Sequence, residues 1–568
     1  MKWLLYWHTL KFLKPVQVVG RLNFVLKRTL LKPAIVKKVK KQRFSGLPLP
    51  LNLTKRCYSK YAVQNLSENK FEFLNIESIY KEKICWSDAT KPKLWLYNLH
   101  YFEYLIPLTH DVNQKNFDLA KEILEDWMEN NPIGQGIGWE PYPISLRAVN
   151  WIFFYDAYLD FFKQEPSLSK KFLTNLFQQV DYLTHFFEKH LQANHLWVNV
   201  KTLLFAGLFF DEQRWIKKGL RLVRKELEKQ VLADGGHYER SPMYHALVLV
   251  DVLDVINLIS VRKSFRTEFE HSLLKFNEEL IDKARLMWHW LETITQPAGQ
   301  LPLMGDTALG IAPSTKQIGQ YFTQVLKEPL QQKKTASKRA LPQSGYFVYR
   351  DEVLFLLIDG GELGVSYQPG HAHCDFLSYE FSVKGRRIIV DSGIGEYLPG
   401  RLRNQARSIY SHNTLVINGL EQGEIWSAFR MGRRIVPEDV QYKLEPVFEF
   451  RGAYYNRLNK KLAYWHQRTI RINQAIEFED QWKTKKLQVV ENLIHLHPEC
   501  QVEFASGVVR IKRDDLLLSL VFDGQKVKAE LRDWFYVPEF GNVLPASMIV
   551  LQPKEREATE MRYRINLL

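Results

Sequence analysis

Hydrophobic residues follow two different periodicities along the chain, and the change between them falls near residue 340. From about residue 100 to 330, apolar side chains recur at spacings of three and four, which predicts amphipathic helices. The predicted helical segments are 117–127, 146–162, 173–187, 203–210, 215–232 and 244–259. Helical hairpins separated by short polar breaks, without a fixed-period repeat, favour a helical bundle, solenoid or α/α toroid.

Short alternating runs typical of β-strands replace the helical pattern after residue 340. They lie at 346–349, 353–358, 376–383, 387–390, 414–417, 469–472 and 508–511. Residues 333–338 and 342–345 are polar and are interpreted as a linker ahead of these strands. Gly, Asn and Asp turns between the strands favour an antiparallel sandwich. The predicted order is a basic arm (1–67), a helical domain (68–338) and a β-sandwich (339–568).

Charge is distributed unevenly along the 568 residues. Residues 1–67 contain fifteen Lys or Arg and no acid, the first acid being Glu68. The other 63 basic residues balance 63 acidic ones, so the net charge of +15 comes from the arm alone. The arm also carries apolar and aromatic residues such as Trp3, Trp7 and Phe12. This composition suits an anionic membrane surface or a polyanionic glycan, and equally a helical extension packed on the main body.

The expected location is cytoplasmic or peripheral to a membrane, with the periplasm as the alternative. Lys11 and Lys14 interrupt the first apolar run and no small-residue cleavage site follows it, which argues against a secretory signal. No uninterrupted apolar stretch reaches the eighteen or so residues that span a bilayer. Four scattered cysteines are expected to be free thiols. No Walker loop or dinucleotide fingerprint is present, so neither a nucleotide cofactor nor a nucleic-acid partner is expected.

Three short polar clusters interrupt the strand-like sequence and indicate a functional site. They are Gly-His-Ala-His-Cys-Asp at 370–375, Val-Asp-Ser-Gly at 390–393 and Ser-His-Asn-Thr at 411–414. In an extended segment His371 and His373 point to the same face. His373, Asp391 and His412 would form a ligand set suited to zinc, which leaves His371 free for proton transfer.

The helical half contains three further candidate clusters. Asn194 and His195 precede a predicted helix near Val200, and taken alone they are interpreted as an N-cap and a surface residue. The run 234–245 concentrates polar chemistry before a Ser-Pro helix start, which favours function. Residues 138–150 place Trp and Tyr rings beside an Arg, which suits either a sugar carrying a carboxylate or core packing. The candidate substrate-binding residues are Trp139, Tyr142, Arg147, His237, Glu239 and Arg407.

Taken together in order, these motifs resemble those of the heparinase II/III family of polysaccharide lyases. The motifs are Asn194-His195, the Asp-Gly-Gly-His to Tyr-His run at 234–245, and the three clusters of the β half. The resemblance covers about residues 95–480. It implies an N-terminal α/α toroid, an incomplete helical barrel, followed by an antiparallel β-sandwich, with the active site in the cleft between them. Residues 451–454 (Arg-Gly-Ala-Tyr) depart from the family's usual His-Asp-Gly-Tyr.

The resemblance assigns a role to each motif. It implies that Tyr244 and His371 transfer protons, that Asn194 and His195 neutralise a uronate carboxylate, and that Tyr397 belongs to the site. It also implies that His373, Asp391 and His412 bind zinc, although calcium stays open.

The predicted function is cleavage of a uronate-containing glycan such as a glycosaminoglycan or alginate by β-elimination. Neutralising the carboxylate stabilises the charge that develops as the C5 proton leaves. A uronyl C5-epimerase shares that first step, and a non-catalytic glycan-binding or assembly protein on the same scaffold is the third alternative. The arm and the missing signal favour a role in capsule or cell-surface polysaccharide metabolism.

Overall fold

The computed structural model describes residues 2–46, 48, 50–56, 61–261, 269–330, 336–484 and 489–568. Cys57 and residues 333–335 of the predicted linker lie outside these ranges. The other three cysteines, Cys85, Cys374 and Cys500, are free.

All six predicted helical segments fall on helices of the N-terminal half, although 173–187 and 215–232 each run two residues past a helix end and 146–162 spans α7 and α8. The α-helices are α1 Lys2–Leu10, α2 Pro15–Leu26, α3 Lys32–Lys40, α4 Val63–Ser67, α5 Lys93–Tyr101, α6 Gln114–Asn130, α7 Pro141–Ala157, α8 Leu159–Gln164, α9 Pro166–His185, α10 Ala193–Phe210, α11 Gln213–Gln230, α12 Pro242–Val261, α13 Glu270–Ile294, α14 Thr315–Leu326 and α15 Arg401–Arg407. Proline in the first turn of α7, α9 and α12 suits a helix start, because its missing N–H has no intrahelical partner there. Helices α5–α14 form the α/α toroid, whereas α1–α4 belong to the arm and α15 lies in the β-domain.

The strands form a small N-terminal hairpin and the antiparallel sheets of the C-terminal sandwich. They are β1 Lys70–Phe73, β2 Ile76–Ile79, β3 Ser337–Leu341, β4 Tyr346–Arg350, β5 Leu354–Asp359, β6 Tyr379–Val383, β7 Arg386–Ile389, β8 Leu415–Ile417, β9 Gly423–Trp426, β10 Arg430–Arg434, β11 Pro437–Lys443, β12 Phe448–Asn456, β13 Tyr464–Ile472, β14 Ile476–Thr484, β15 Val490–His495, β16 Gln501–Ala505, β17 Val508–Arg513, β18 Leu516–Phe522, β19 Val527–Glu539, β20 Asn542–Pro553 and β21 Glu560–Leu567.

Three larger sheets build the sandwich, in the orders β3-β4-β5-β6-β7, β19-β20-β15-β8 and β11-β12-β13-β14-β21-β18-β17-β16. Strand β3 spans the predicted domain boundary at residue 338. Residues 342–345 form the turn from β3 to β4 and are therefore part of the β-domain, not a linker. Apolar side chains from all three sheets share one core, which includes Phe381, Ile494 and Phe478.

A long connection between α13 and α14, residues 295–314, belongs to the toroid and contacts the β-domain. The Leu303 backbone N–H donates to Glu380 at 2.6 Å, and the Tyr346 hydroxyl donates to the Arg240 carbonyl at 2.6 Å. The Ser241 hydroxyl in turn donates to the Asp306 carbonyl at 2.7 Å. These contacts hold the start of α12 against the β-domain.

The basic arm packs on the main body. In the later part of the arm, the backbone N–H groups of Leu51 and Leu53 donate to the Asp156 carboxylate, and Arg56 forms a buried ion pair with Asp254 at 2.5 Å.

Helix α12 is long and apolar enough to cross a bilayer by composition, but 83% of its apolar window is buried. Its hydrophobicity is therefore explained by its place inside the toroid.

Candidate active site

Asp306 lies at the centre of the contact between the two domains. It is fully buried, and its backbone N–H donates to the His371 carbonyl at 3.1 Å. Its carboxylate accepts from His371 Nδ1 at 2.7 Å and from His373 Nε2 at 2.8 Å. Arg403, also fully buried, donates to both carboxylate oxygens, with Nη2 2.8 Å from Oδ2. One carboxylate therefore orients both histidines of the Gly-His-Ala-His run.

The charge of Asp306 is secured by these neighbours. Burial by itself raises the pKa of a carboxyl, but Arg403 and the two histidine hydrogen bonds outweigh it and hold the pKa of Asp306 well below its usual range. An ionised Asp306 accepts a hydrogen bond from the N–H of His371 Nδ1. The lone pair of a neutral His371 is then on Nε2, the nitrogen that a general base would use.

Tyr244 packs against this histidine from the helical side. The ring centroids of Tyr244 and His371 are 4.0 Å apart, and the hydroxyls of Tyr244 and Tyr397 are 3.0 Å apart. Burial raises the pKa of Tyr244 well above its usual value, and the neighbouring Tyr397 adds to the effect. Tyr244 is therefore a phenol at neutral pH and is suited to donate a proton. Tyr244 and His371, which the resemblance assigns to proton transfer, thus lie together with Tyr397.

Asn194 and His195 lie in the first turn of α10. The N-cap residue of this helix is Gln192, so interpreting Asn194 as the N-cap of a helix near Val200 is wrong. Gln192 and Ala193 both have positive φ, at 60° and 48°. Such strain in non-glycine residues is common at functional sites. The helix N-terminus beside Asn194 also favours a negatively charged ligand.

His195 is the more accessible of the two, with a side chain that is 31% exposed. Its Nδ1 lies 3.3 Å from Glu188 Oε2, and its ring centroid is 4.6 Å from that of the half-buried Tyr142. Burial lowers the pKa of an imidazole, but the Glu188 carboxylate outweighs it and raises the pKa of His195. A cationic His195 suits a uronate carboxylate.

Glu239 faces the same space with a carboxyl that is almost completely buried. Neither of its oxygens accepts a well-formed hydrogen bond from the described residues, and Oε1 lies 3.7 Å from His371 Nε2. Burial raises the pKa of Glu239, against the lowering effects of His371 and the Asn194 backbone. A protonated Glu239 could donate to a substrate oxygen. His237 is fully buried beside it and hydrogen-bonds Gln230 at 3.1 Å, so it supports the loop from below.

Trp139, Arg147 and Arg407 are placed elsewhere, which corrects their assignment to the substrate. Trp139 is buried and donates to the Asn131 carbonyl at 3.0 Å, so core packing is the correct alternative for this ring. The fully buried Arg147 donates to Gln179 and to two backbone carbonyls. Arg407, also fully buried, donates to backbone carbonyls that include Ala372, inside the Gly-His-Ala-His run. Both guanidinium groups therefore support loops and do not face a ligand.

The predicted zinc ligands lie close together beneath the site. His412 Nδ1 is 2.7 Å from Asp391 Oδ2, and the rings of His373 and His412 are 5.3 Å apart. His373 Nδ1 and His412 Nε2 are both buried without a hydrogen-bond partner among the described residues. Burial lowers the pKa of His373, which favours the neutral form that binds metals, whereas the Asp391 carboxylate outweighs burial and raises the pKa of His412. These two free nitrogens fit a zinc ion, although no three ligating side chains in the described ranges are already arranged around one point. Zinc binding stays a prediction.

Asp306, Arg403 and Phe429 are the site residues that sequence reasoning missed. Phe429, on the turn between β9 and β10, is 41% exposed, and its ring is 6.0 Å from that of His371. None of the three lies in a motif. The one signal for Asp306 is an acid that follows the apolar run 301–304 after a single glycine, in a connection between helices.

Comparisons with known proteins agree with this architecture. The model of the heparinase II/III N-terminus matches residues 37–327, and the heparinase II/III-like C-terminal model matches residues 333–564. The crystal structure of heparinase III superposes with a TM-score of 0.72 at 16% identity, covering 94% of this chain and 89% of that one.

Curated relatives are similar over a shorter range. The heparin-sulfate lyase of Pedobacter heparinus is 27% identical over 325 residues, 52% of this chain and 47% of that protein. The heparin-sulfate lyase of Bacteroides stercoris is 24% identical over 333 residues, 54% of this chain and 48% of that protein. The chain thus spans about half the length of these relatives. Two family models that together match most of the chain, and a fold with the expected toroid and sandwich, show that the chain belongs to the heparinase II/III family.

Proposed function

We propose that this protein is a polysaccharide lyase that cleaves a uronate-containing, glycosaminoglycan-type glycan by β-elimination. The observation that carries the proposal is the contact of Tyr244 and His371, with ring centroids 4.0 Å apart, beside Asn194 and His195 at the start of α10. Two proton carriers next to a cationic, amide-rich helix start are the groups that elimination from a uronate requires. The names of the similar heparin-sulfate lyases support a glycosaminoglycan as the substrate class.

The chemistry begins at the uronate carboxylate. A cationic His195 and the Asn194 amide, with a protonated Glu239 as a further donor, would neutralise the carboxylate and so acidify the C5 proton. His371 Nε2 removes that proton, because Asp306 occupies Nδ1. The electrons of the C5–H bond form the C4–C5 double bond as the C4–O bond breaks.

Tyr244 would complete the step by protonating the departing oxygen. Its raised pKa keeps the phenol protonated until the leaving oxygen develops negative charge. The proton that His371 has taken then returns to Tyr244, directly or through Tyr397, whose hydroxyl is 3.0 Å away. The products are an unsaturated uronate at the new non-reducing end and a free hydroxyl on the other fragment.

A zinc ion held by His373 and His412, with Asp391 beside them, would brace the loops beneath the site. The buried, unpaired His373 Nδ1 and His412 Nε2 support this assignment. A bound zinc would supply positive charge that fixes the two imidazoles. The elimination itself is assigned to the residues named above.

The basic arm is proposed to bring the protein to an anionic surface, either a membrane or the polyanionic glycan itself. Its fifteen basic residues without an acid support such a role. A location in the cytoplasm or at a membrane surface, in capsule or cell-surface polysaccharide metabolism, is consistent with this role.

The test of the lyase proposal is to incubate the protein with a panel of uronate polysaccharides and follow the ultraviolet absorbance of the unsaturated product. A rise with one polymer supports the proposal and identifies the substrate. Incorporation of solvent deuterium at C5 without a rise would show an epimerase instead. Binding without either signal would show a glycan-binding protein.

A further inference from the structure

Helices α1 and α2, together with residues 27–31 after them, present an unusual apolar surface. Thirteen large hydrophobic side chains between residues 3 and 31 are exposed, among them Trp3 (87%), Leu22 (67%) and Leu30 (69%). Elsewhere in the described chain, exposed side chains of this kind occur singly or in adjacent pairs such as Val543 and Leu544. We call this set the outer face; its members are Trp3, Leu4, Tyr6, Trp7, Leu10, Val16, Val18, Val19, Leu22, Val25, Leu26, Leu30 and Leu31. So many exposed apolar side chains within residues 3–31 favour an interaction site.

Helical periodicity explains why these residues share one side. In α2, Val18, Leu22 and Val25 recur at spacings of four and three and are all exposed. The opposite side of the same helix faces the protein, with Gln17 buried and Phe24 half-buried. The usual arrangement of a surface helix, apolar inward and polar outward, is therefore reversed here.

The inner side of the arm is anchored to both domains. On the β-domain, His8 pairs with Glu424 at 2.9 Å and Trp426 donates to Thr9 at 2.9 Å, which seats α1 on the β9–β10 hairpin. Gln17 donates to the Tyr367 carbonyl at 3.1 Å.

On the toroid, the rings of Phe24 and His190 are 4.6 Å apart, and Lys27 donates to the His185 carbonyl at 3.1 Å. The outer face is thus presented by a docked element whose orientation is fixed by contacts on both sides.

Charge accompanies the apolar surface. Residues 2–43 contain twelve Lys or Arg and no acid, and Lys37, Lys38 and Lys40 of α3 are all exposed. Basic residues beside an exposed apolar helix face favour the interface of a bilayer that contains anionic lipid.

Two other partners fit the outer face less well. A polyanionic glycan offers nothing to aliphatic side chains such as Val18, Leu22 and Leu30, since it binds through charge, hydrogen bonds and ring stacking. If two copies of this chain associated through the arm by a two-fold contact, the contact would bring like charges together, because the arm has no acids.

We infer that the outer face docks the protein onto an anionic lipid bilayer, lying in the interface and not spanning it. The inference deepens the proposed role of the arm and rests on that role, while it is independent of the elimination chemistry. Because α1 is seated on the hairpin that carries Phe429 at the active site, docking would hold the cleft next to the membrane surface.

The test is sedimentation of the full chain with vesicles of phosphatidylcholine mixed with phosphatidylglycerol. The variant Trp7→Ser/Leu22→Ser/Leu30→Ser removes three outer-face side chains that are 66%, 67% and 69% exposed and contribute little to folding. The matched control Ile79→Ser/Leu274→Ser/Val543→Ser removes exposed apolar groups elsewhere, at 55%, 50% and 49%. We expect the first variant to lose at least about tenfold in vesicle affinity and the control to bind as the unaltered protein does.

Four outcomes would overturn the inference. The first three are failure of the unaltered protein to bind the mixed vesicles, undiminished binding by the outer-face variant, and loss of self-association by that variant in analytical ultracentrifugation. Loss of binding to soluble heparin in place of vesicles would assign the face to a glycan and would also overturn it. Turnover of short uronate oligosaccharides, measured in parallel, reports separately on the lyase proposal, because neither triple variant alters an active-site residue.

Discussion

Replacing Asp306 with Asn should separate the catalytic role of this residue from its structural one. The substitution keeps the shape of the side chain but removes the charge that pairs with Arg403 and that accepts hydrogen bonds from His371 and His373. The donors His371, His373 and Arg403 now bind two carboxylate oxygens, whereas an asparagine amide offers them one acceptor oxygen. The NH₂ group of the asparagine would therefore face at least one of these donors.

The structure allows the cost to be estimated. Removing one partner of a buried ion pair costs about 3–5 kcal/mol, because the other charge is left unpaired. His371 also loses the acceptor that fixes its proton on Nδ1, and the tautomer with Nε2 free is no longer favoured. An Asp→Asn change behind the catalytic histidine of a serine protease lowers kcat by about 10⁴-fold. We expect kcat of D306N to fall by about 10²–10⁴-fold.

Asp480 provides a matched control in the same domain. It is fully buried, pairs with Arg468 at 2.8 Å and accepts from His466 at 2.9 Å, yet lies on β14 as part of the sandwich core. D480N should lose comparable stability in chemical denaturation while kcat changes little. The measurements are product absorbance and denaturant midpoints for both variants. If D306N matches D480N, with reduced stability and nearly full kcat, then Asp306 has a structural role only.

Three further outcomes are expected. Tyr244→Phe should lower kcat by about 10²–10⁴-fold with little change in glycan affinity, measured by product absorbance and calorimetric titration; retained activity would assign Tyr244 to packing. Glu188→Gln removes the charge that raises the pKa of His195, so the alkaline fall of kcat/KM, where His195 loses its proton, should move to lower pH. An unmoved pH profile would exclude His195 as the cation. His373→Ala should release zinc and reduce thermal stability, while His371→Ala should keep the metal but lose activity; elemental analysis that finds no metal in the unaltered protein would contradict this division.

Secondary structure and domain order follow from the sequence because they depend on local periodicity. All six predicted helical segments and all seven predicted strand runs fall on helices and strands of the structure. Helices α13 and α14 lie in the region of helical periodicity but in none of the six predicted segments, and a helical arm is one of the alternatives that the sequence leaves open. In α1 and α2 the apolar residues lie on the outside, so the pattern gives no indication of which side packs.

The sequence alone determined which motifs are candidates for chemistry, because imidazoles and amides clustered among apolar strands have no structural need to be there. The tertiary structure decided which of those side chains face a ligand. Arg147 and Trp139 have the composition of a sugar site, but α7 and the turn before it place both in the toroid core. Asp306 belongs to no motif and lies 65 residues before His371, yet the connection from α13 to α14 brings its carboxylate to that histidine. Burial and long-range pairing depend on how the two domains meet, and no local pattern encodes that contact.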